Sequence, residues 1–207
     1  MSARRGSDLA PGNGTSATSL TLDGDRSFVI ARTFNGPARI VFEAYTSPEL
    51  VARWWAPESH GVSIVACDAD VRPGGSYRYV LRVRAKQEIA FSGQYLEVTP
   101  PTRLVFTQLF EPTASGVQPG DQAITITVTF EERDGQTHFL SRTVCPTPEL
   151  RDTIIASGME SGMRETMDQL EALVARLRAS RYGAAGGSAR SGSTEVVATR
   201  RMARICL

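Results

Sequence analysis

Between Val62 and Cys145 the chain offers six consecutive strand-length runs with no helical period between them. The runs are Val62–Val71, Ser76–Arg84, Ile89–Val98, Arg103–Phe110, Gln122–Glu131 and Thr137–Cys145. Turn chemistry divides them: Arg72-Pro73-Gly74-Gly75, Ala85-Lys86-Gln87-Glu88, Thr99-Pro100-Pro101, a longer loop over Glu111–Asp121, and Arg133-Asp134-Gly135-Gln136. The Asp-Gly pair is a tight hairpin signal. Parallel neighbours would need crossover helices, and none is present, so the runs predict an antiparallel meander in an α+β domain.

Helical periods flank this block. Ser27–Thr33 reads as an earlier strand, and Ala38–Tyr45 as a helix after Gly36-Pro37. Ser47-Pro48-Glu49-Leu50 then opens a short second helix, with serine as N-cap, proline at the first position and an acid in the first turn. It ends near Trp55, because Pro57 disfavours helical backbone at Ala56. On a helix Trp54 and Trp55 would stand about 100° apart, so only one is expected to face inward, and the spacing does not say which. Thr147-Pro148-Glu149-Leu150 repeats the same start signal, and the period continues to Arg178. Its apolar stripe runs through Ile155, Met159, Met163, Thr166 or Met167, Leu170, Leu173 or Val174, and Leu177. One unbroken helix of that length would measure about 46 Å, enough to cross a domain of about 40 Å, with only the sheet to pack on.

The bulk numbers exclude several classes. The 207 residues suit one domain with tails: a disordered Ser/Gly/Ala/Thr-rich segment over 1–20, a folded domain over 21–178, and a disordered basic tail over 179–207. A net charge of +1, with the arginines spread along the chain, gives no case for nucleic acid as partner of the core domain. Cys67, Cys145 and Cys206 form no disulfide framework and no metal-ligand spacing, and His60 and His138 are far apart. No metal and no cofactor is expected. The N-terminus lacks the apolar core of a secretory signal, and no run is long enough to span a membrane. The expected location is the cytoplasm.

The patterning points to a cavity between sheet and helix. Tyr77, Tyr79, Leu81 and Val83 share one face of their strand; Ile89, Phe91, Gly93 and Tyr95 share a face of the next. Leu104, Phe106, Gln108 and Phe110 continue that face on the following strand. Three tyrosines are unusual for a dry core, because each buried hydroxyl needs a partner. Gly158 and Gly162, one turn apart on the expected helix, remove volume where it meets the sheet or permit closer packing. Met159, Met163 and Met167 adapt to irregular space. The expected ligand-binding residues are Trp54, Tyr77, Tyr79, Phe91, Tyr95, Phe106, Met159 and Met163.

The segments RTFNGPARIVFEAYTSPELVARWWAP, DADVRPGGSYRYV, FSGQYLEVTPPTRLVFT, ITVTFEERDGQT and SGMESGMRETMDQLEAL occur in one order from about Ser27 to Leu177. Together they resemble homologues of the C-terminal domain of the heat-shock-protein-90 ATPase activator, in the START-like, or SRPBCC, superfamily. The resemblance implies a helix-grip fold, a curved antiparallel sheet wrapped around a long C-terminal helix with an internal cavity, and non-enzymatic binding of a small hydrophobic molecule. Chaperone activation is not carried over, because residues 1–20 are too short to supply the activator's other domain. A polyketide cyclase or aromatase using the same cavity is the alternative; it would need proton-transfer groups inside, for which Arg82, Glu88 and His60 are the candidates. Arg82 has the outward parity, Glu88 sits at a turn and His60 in a loop, and no acid, base and nucleophile spacing supports a triad. A stress-related or chaperone-associated interaction module is a second alternative. A membrane is not an expected partner, and a homodimer stays open.

Overall fold

The turn signals and alternating runs fold into a single eight-stranded antiparallel sheet. The computed structural model describes residues 17–83, 87–112 and 123–185. The strands are β1 (Ser19–Leu22), β2 (Ser27–Phe34), β3 (Ser63–Ala69), β4 (Ser76–Val83), β5 (Gln87–Thr99), β6 (Arg103–Pro112), β7 (Ile124–Arg133) and β8 (Gln136–Val144). Their order across the sheet is β1-β2-β8-β7-β6-β5-β4-β3. All six meander runs appear, and each pairs with its neighbour in sequence. The Asp-Gly turn joins β7 to β8 with positive φ at Asp134 (52°) and Gly135 (73°), the backbone a two-residue hairpin requires.

Helices cover the concave side. These are α1 (Ala38–Thr46), α2 (Pro48–Val51), α3 (Pro148–Ala156) and α4 (Met159–Ala185), with a 3₁₀ turn at Glu58–His60. Met163, Met167, Leu170, Leu173 and Val174 bury one stripe of α4 in the core, which also holds Ile40, Val41 and Ala44 of α1. Phe34, Val128, Phe130 and Phe139 oppose them from the sheet. This is the curved sheet and C-terminal helix of the helix-grip fold, and the sheet is not closed into a barrel.

Three expectations need correction. The C-terminal helix is not continuous: Gly158 takes φ +77° between α3 and α4. Glycine is costly inside a helix and cheap in left-handed backbone, so the chain breaks there. A Cβ at Gly158 would meet nothing within 4 Å, so this glycine does not create space against the sheet. Secondly, α2 stops at Val51, so Trp54 and Trp55 do not occupy successive helical positions. Thirdly, the expected domain limits fall inside elements. Ser19 and Leu20 pair with Ala31 and Ile30 in β1, and α4 runs past Arg178 to Ala185. The remainder of both expected tails, and the loop over 113–122, lie outside the described residues.

Candidate functional site

A cavity of about 850 Å³ lies between the sheet and α1–α4. Strand parity supplies its floor. Tyr77 and Tyr79 of β4 stand opposite Gly93 and Phe91 of β5, and Tyr95 stands opposite Phe106 of β6. The rings form a continuous surface: Tyr77 lies 5.0 Å from Tyr79, 5.5 Å from Tyr95 and 5.7 Å from Phe106. Gly93 makes this possible, since a Cβ there would sit 1.8 Å from the Thr107 carbonyl oxygen and 2.9 Å from the Tyr77 ring. The bare backbone lets β6 approach and lets the Tyr77 ring lie across it. A bulge between Tyr95 and Glu97 leaves Leu96 exposed while Tyr95 stays buried.

The opposite wall comes from the helices. Met159, Gly162, Met163 and Met167 line the cavity from α4, and Leu150 and Ile154 from α3. Gly162 faces Pro57, whose Cγ would lie 3.4 Å from an added Cβ, an ordinary packing distance, so this contact does not by itself demand a glycine. Both tryptophans reach the lining, against the expectation that one would. Trp54 is 2% exposed and donates its indole N–H to the Ala44 carbonyl at 2.8 Å, satisfying an acceptor near the end of α1. Trp55, beyond the helix, meets Tyr79 at 5.3 Å and Phe91 at 5.0 Å. All eight residues expected from the sequence border this one space. Tyr45 was not expected there, and Trp55 stood open as the alternative to Trp54. Tyr45 follows Val41 by four positions in the α1 period, the signal that could have placed it.

The electrostatics of the lining are those of neutral hydroxyls in an apolar shell. Burial raises the Tyr45, Tyr77, Tyr79 and Tyr95 phenols above the usual tyrosine range. Tyr77 donates to the Thr107 carbonyl at 3.0 Å. The neighbouring Tyr95 hydroxyl adds to the rise at Tyr79, while Tyr79 works against burial at Tyr95. No Asp, Glu, Lys, Arg or His borders the cavity among the described residues. Beside the tyrosines, burial pushes the Cys67 thiol up to about 12, with Asp68 and Glu49 adding to the shift. Cys67 is thereby a poor nucleophile at neutral pH.

The candidate acid-base groups stand elsewhere. Arg82 and Glu88 form an exposed ion pair at 3.0 Å. His60 Nδ1 lies 3.1 Å from Glu165 Oε2, and its Nε2 lies 3.4 Å from Ser161 Oγ. That row of serine, histidine and acid was invisible in the sequence, where Ser161 stands 101 positions from His60. None of the three lines the cavity. Glu165 also accepts from the Ser59 N–H at 2.7 Å and from the Ser59 hydroxyl, and these bonds, that of the Ser59 hydroxyl foremost, hold its carboxyl below the usual range. The row thus clasps the 3₁₀ turn to α4. Among the described residues no cluster of three or more His, Cys, Asp or Glu could hold a metal ion, and no helix is long and apolar enough to cross a membrane.

The sequence profile of the Activator of Hsp90 ATPase homolog 1-like proteins matches residues 35–175, from the turn before α1 to the late part of α4. The chain belongs to this family. The match spans the helices in whole or part and six of the eight strands, β3 to β8, including both walls of the cavity. Solved structures similar to this Activator of Hsp90 ATPase homolog 1-like chain come from several bacteria. A Nitrosomonas europaea protein is 26% identical, over 76% of this chain and 99% of its own, with a TM-score of 0.66. A Staphylococcus epidermidis protein solved by NMR is 28% identical, over 74% of this chain and 92% of its own, with a TM-score of 0.65. A Rhodobacter sphaeroides protein, 23% identical over 77% and 99% with a TM-score of 0.68, shares the fold. No curated protein matches the chain. Membership of this SRPBCC-type family supports a ligand-binding type of domain.

Proposed function

We propose that this protein binds a small, uncharged hydrophobic molecule in the cavity between the sheet and α4, without transforming it. The observation that carries this reading is a space of about 850 Å³ with no ionisable Asp, Glu, Lys, Arg or His among its described lining residues. Its size falls within the ~300–1,000 Å³ usual for small-molecule sites. Aromatic rings from Trp54, Trp55, Tyr77, Tyr79, Phe91 and Phe106 supply apolar contact, and Met159 and Met163 supply a compliant opposite wall. A cyclase or aromatase would need acid-base groups facing its substrate. Arg82, Glu88 and His60 stand away from the lining, which argues for binding over catalysis.

Native mass spectrometry of protein purified from its own host should retain a neutral organic molecule at one per chain. Titration with fluorescent apolar probes should be saturable and should alter tryptophan emission, because Trp54 and Trp55 border the site. A broad probe panel with no saturable binding would remove the proposal.

A further inference from the structure

The row that joins the 3₁₀ turn to α4 has a chemical direction. Glu165 Oε2 lies 3.1 Å from His60 Nδ1, and a carboxylate only accepts hydrogen bonds. The Ser59 hydroxyl, 3.5 Å from the same Nδ1, donates to Glu165 and so offers the ring no hydrogen. The ring hydrogen therefore belongs on Nδ1, which leaves the lone pair of Nε2 toward Ser161 Oγ, 3.4 Å away. Glu165 is held in turn by the Ser59 N–H at 2.7 Å and by the Ser59 hydroxyl. Ser161 and Glu165 stand four positions apart on α4, on one face of the helix. A nucleophile, a base and a group that orients the base thus occur in order. The serine–histidine distance is longer than a working catalytic bond, as is common before substrate is bound.

We propose that Ser161, His60 and Glu165 form a second site, outside the cavity, that hydrolyses uncharged carboxylic esters. Ser161 Oγ bonds to the ester carbonyl carbon while His60 Nε2 takes the hydroxyl proton. The bond from that carbon to the alcohol oxygen then breaks, and the proton passes from Nε2 to the departing oxygen. Water attacks the acyl-serine, giving its proton to Nε2; the carbonyl carbon releases Ser161 Oγ, which takes the proton back. The balance is ester plus water to acid plus alcohol. Glu165 acts through His60, as a positioning residue. Ser161 is the third residue of α4, so charge developing on the carbonyl oxygen is favoured by the partial positive charge at the amino end of the helix. Ser161 and His60 are exposed, so substrate reaches them directly. An exposed row supplies little binding energy to expel an amine, which favours esters with a stabilised leaving group over amides. Glu165 and the nearby Glu58 disfavour a substrate that carries negative charge. The site is independent of ligand binding, because none of the three residues lines the cavity.

The test is hydrolysis of p-nitrophenyl acetate by the full chain. Ser161→Ala and His60→Gln should each lower kcat/KM at least about tenfold, and the double variant should fall no further, because the two residues act as a unit. Ser161→Ala keeps the bonds from His60 and Ser59 to Glu165, so its thermal melt should match the wild type. His138→Gln, which removes the chain's other histidine, should leave the rate unchanged. Glu165→Gln should lower kcat at least about tenfold and leave KM within about twofold, since an amide no longer fixes the ring tautomer. An ethyl fluorophosphonate should form one covalent adduct, located on Ser161 by peptide mass spectrometry, and His60→Gln should suppress it. Undiminished hydrolysis in Ser161→Ala, equal rates for wild type and His60→Gln, or an adduct on another residue alone would overturn the proposal. A change confined to KM in Glu165→Gln would overturn the positioning role.

Discussion

Ser47-Pro48-Glu49-Leu50 and Thr147-Pro148-Glu149-Leu150 spell the same helix start, and the two side chains act differently. Thr147 Oγ1 accepts from the Leu150 N–H at 3.2 Å, a true N-cap. Ser47 instead donates its hydroxyl to Glu49 Oε2 at 2.7 Å. The reason is position: Ser47 also terminates α1, its N–H bonded to the Glu43 carbonyl at 2.9 Å, so the residue serves two helix ends at once. Thr147→Ala should therefore cost about 1 kcal/mol in urea unfolding, whereas Ser47→Ala should leave the midpoint nearly unchanged. Equal losses would show that the hydroxyl of Ser47 caps α2 after all. The motif located both helix starts; which hydroxyl caps depended on what preceded it.

Among the elements, the contact of β2 with α4 holds the least expected chemistry. Arg32 alternates with Phe28, Ile30 and Phe34 on the inward face of β2, so strand parity alone turns a guanidinium into the core. Its side chain is 3% exposed, 2.5 Å from Asp168 and 4.0 Å from Glu171, both on α4. Thr18 accepts from it at 2.9 Å, and the Asn35 N–H donates to Glu171 at 3.2 Å. The Arg32 Nε and Glu171 Oε2 atoms are buried without a hydrogen bond, so the cluster is only partly satisfied. Removing one partner strands a buried charge, while replacing both with apolar groups does not. Arg32→Met should destabilise the fold by about 3 kcal/mol, and the double change with Glu171→Met should recover most of that loss. Additive losses in a denaturant double-mutant cycle would show the two charges to be independent. The sequence predicted β2 correctly but offered no sign that its charged inward residue would find carboxylates 136 and 139 positions later.

For the whole molecule, the tyrosine-lined cavity makes alkaline pH the weak condition. Tyr45, Tyr77, Tyr79 and Tyr95 are raised in the fold above the unfolded value near 10, and Cys67 is raised from near 9 to about 12. Below those unfolded values both states keep every proton, and stability is undiminished. As pH rises through them the unfolded chain loses protons that the fold retains, so unfolding becomes progressively easier. Stability should hold to about pH 9 and fall steeply between about pH 9 and 12. Tyr79→Phe should lower that slope by up to about 1.4 kcal/mol per pH unit. Urea midpoints from pH 7 to 11 would measure it; a flat profile would mean that the hydroxyls ionise in the fold as they do in free chain.

The antiparallel meander, the helix starts and the aromatic parity of β4, β5 and β6 were legible in the sequence, because turn residues and a two-residue period act over a few neighbours. Those local rules also named Tyr77, Tyr79, Tyr95 and Phe106 together. They did not reveal the break at Gly158, where a positive φ costs a glycine little and the apolar period continues across it. Nor did they decide between Trp54 and Trp55, or reveal Tyr45, the Arg32 cluster or the Ser161–His60–Glu165 row, each of which depends on where a helix lands on the sheet. Side-chain spacing determined the wall of the cavity. Only tertiary packing decided what faces that wall, and that no charge stands among the described residues around it.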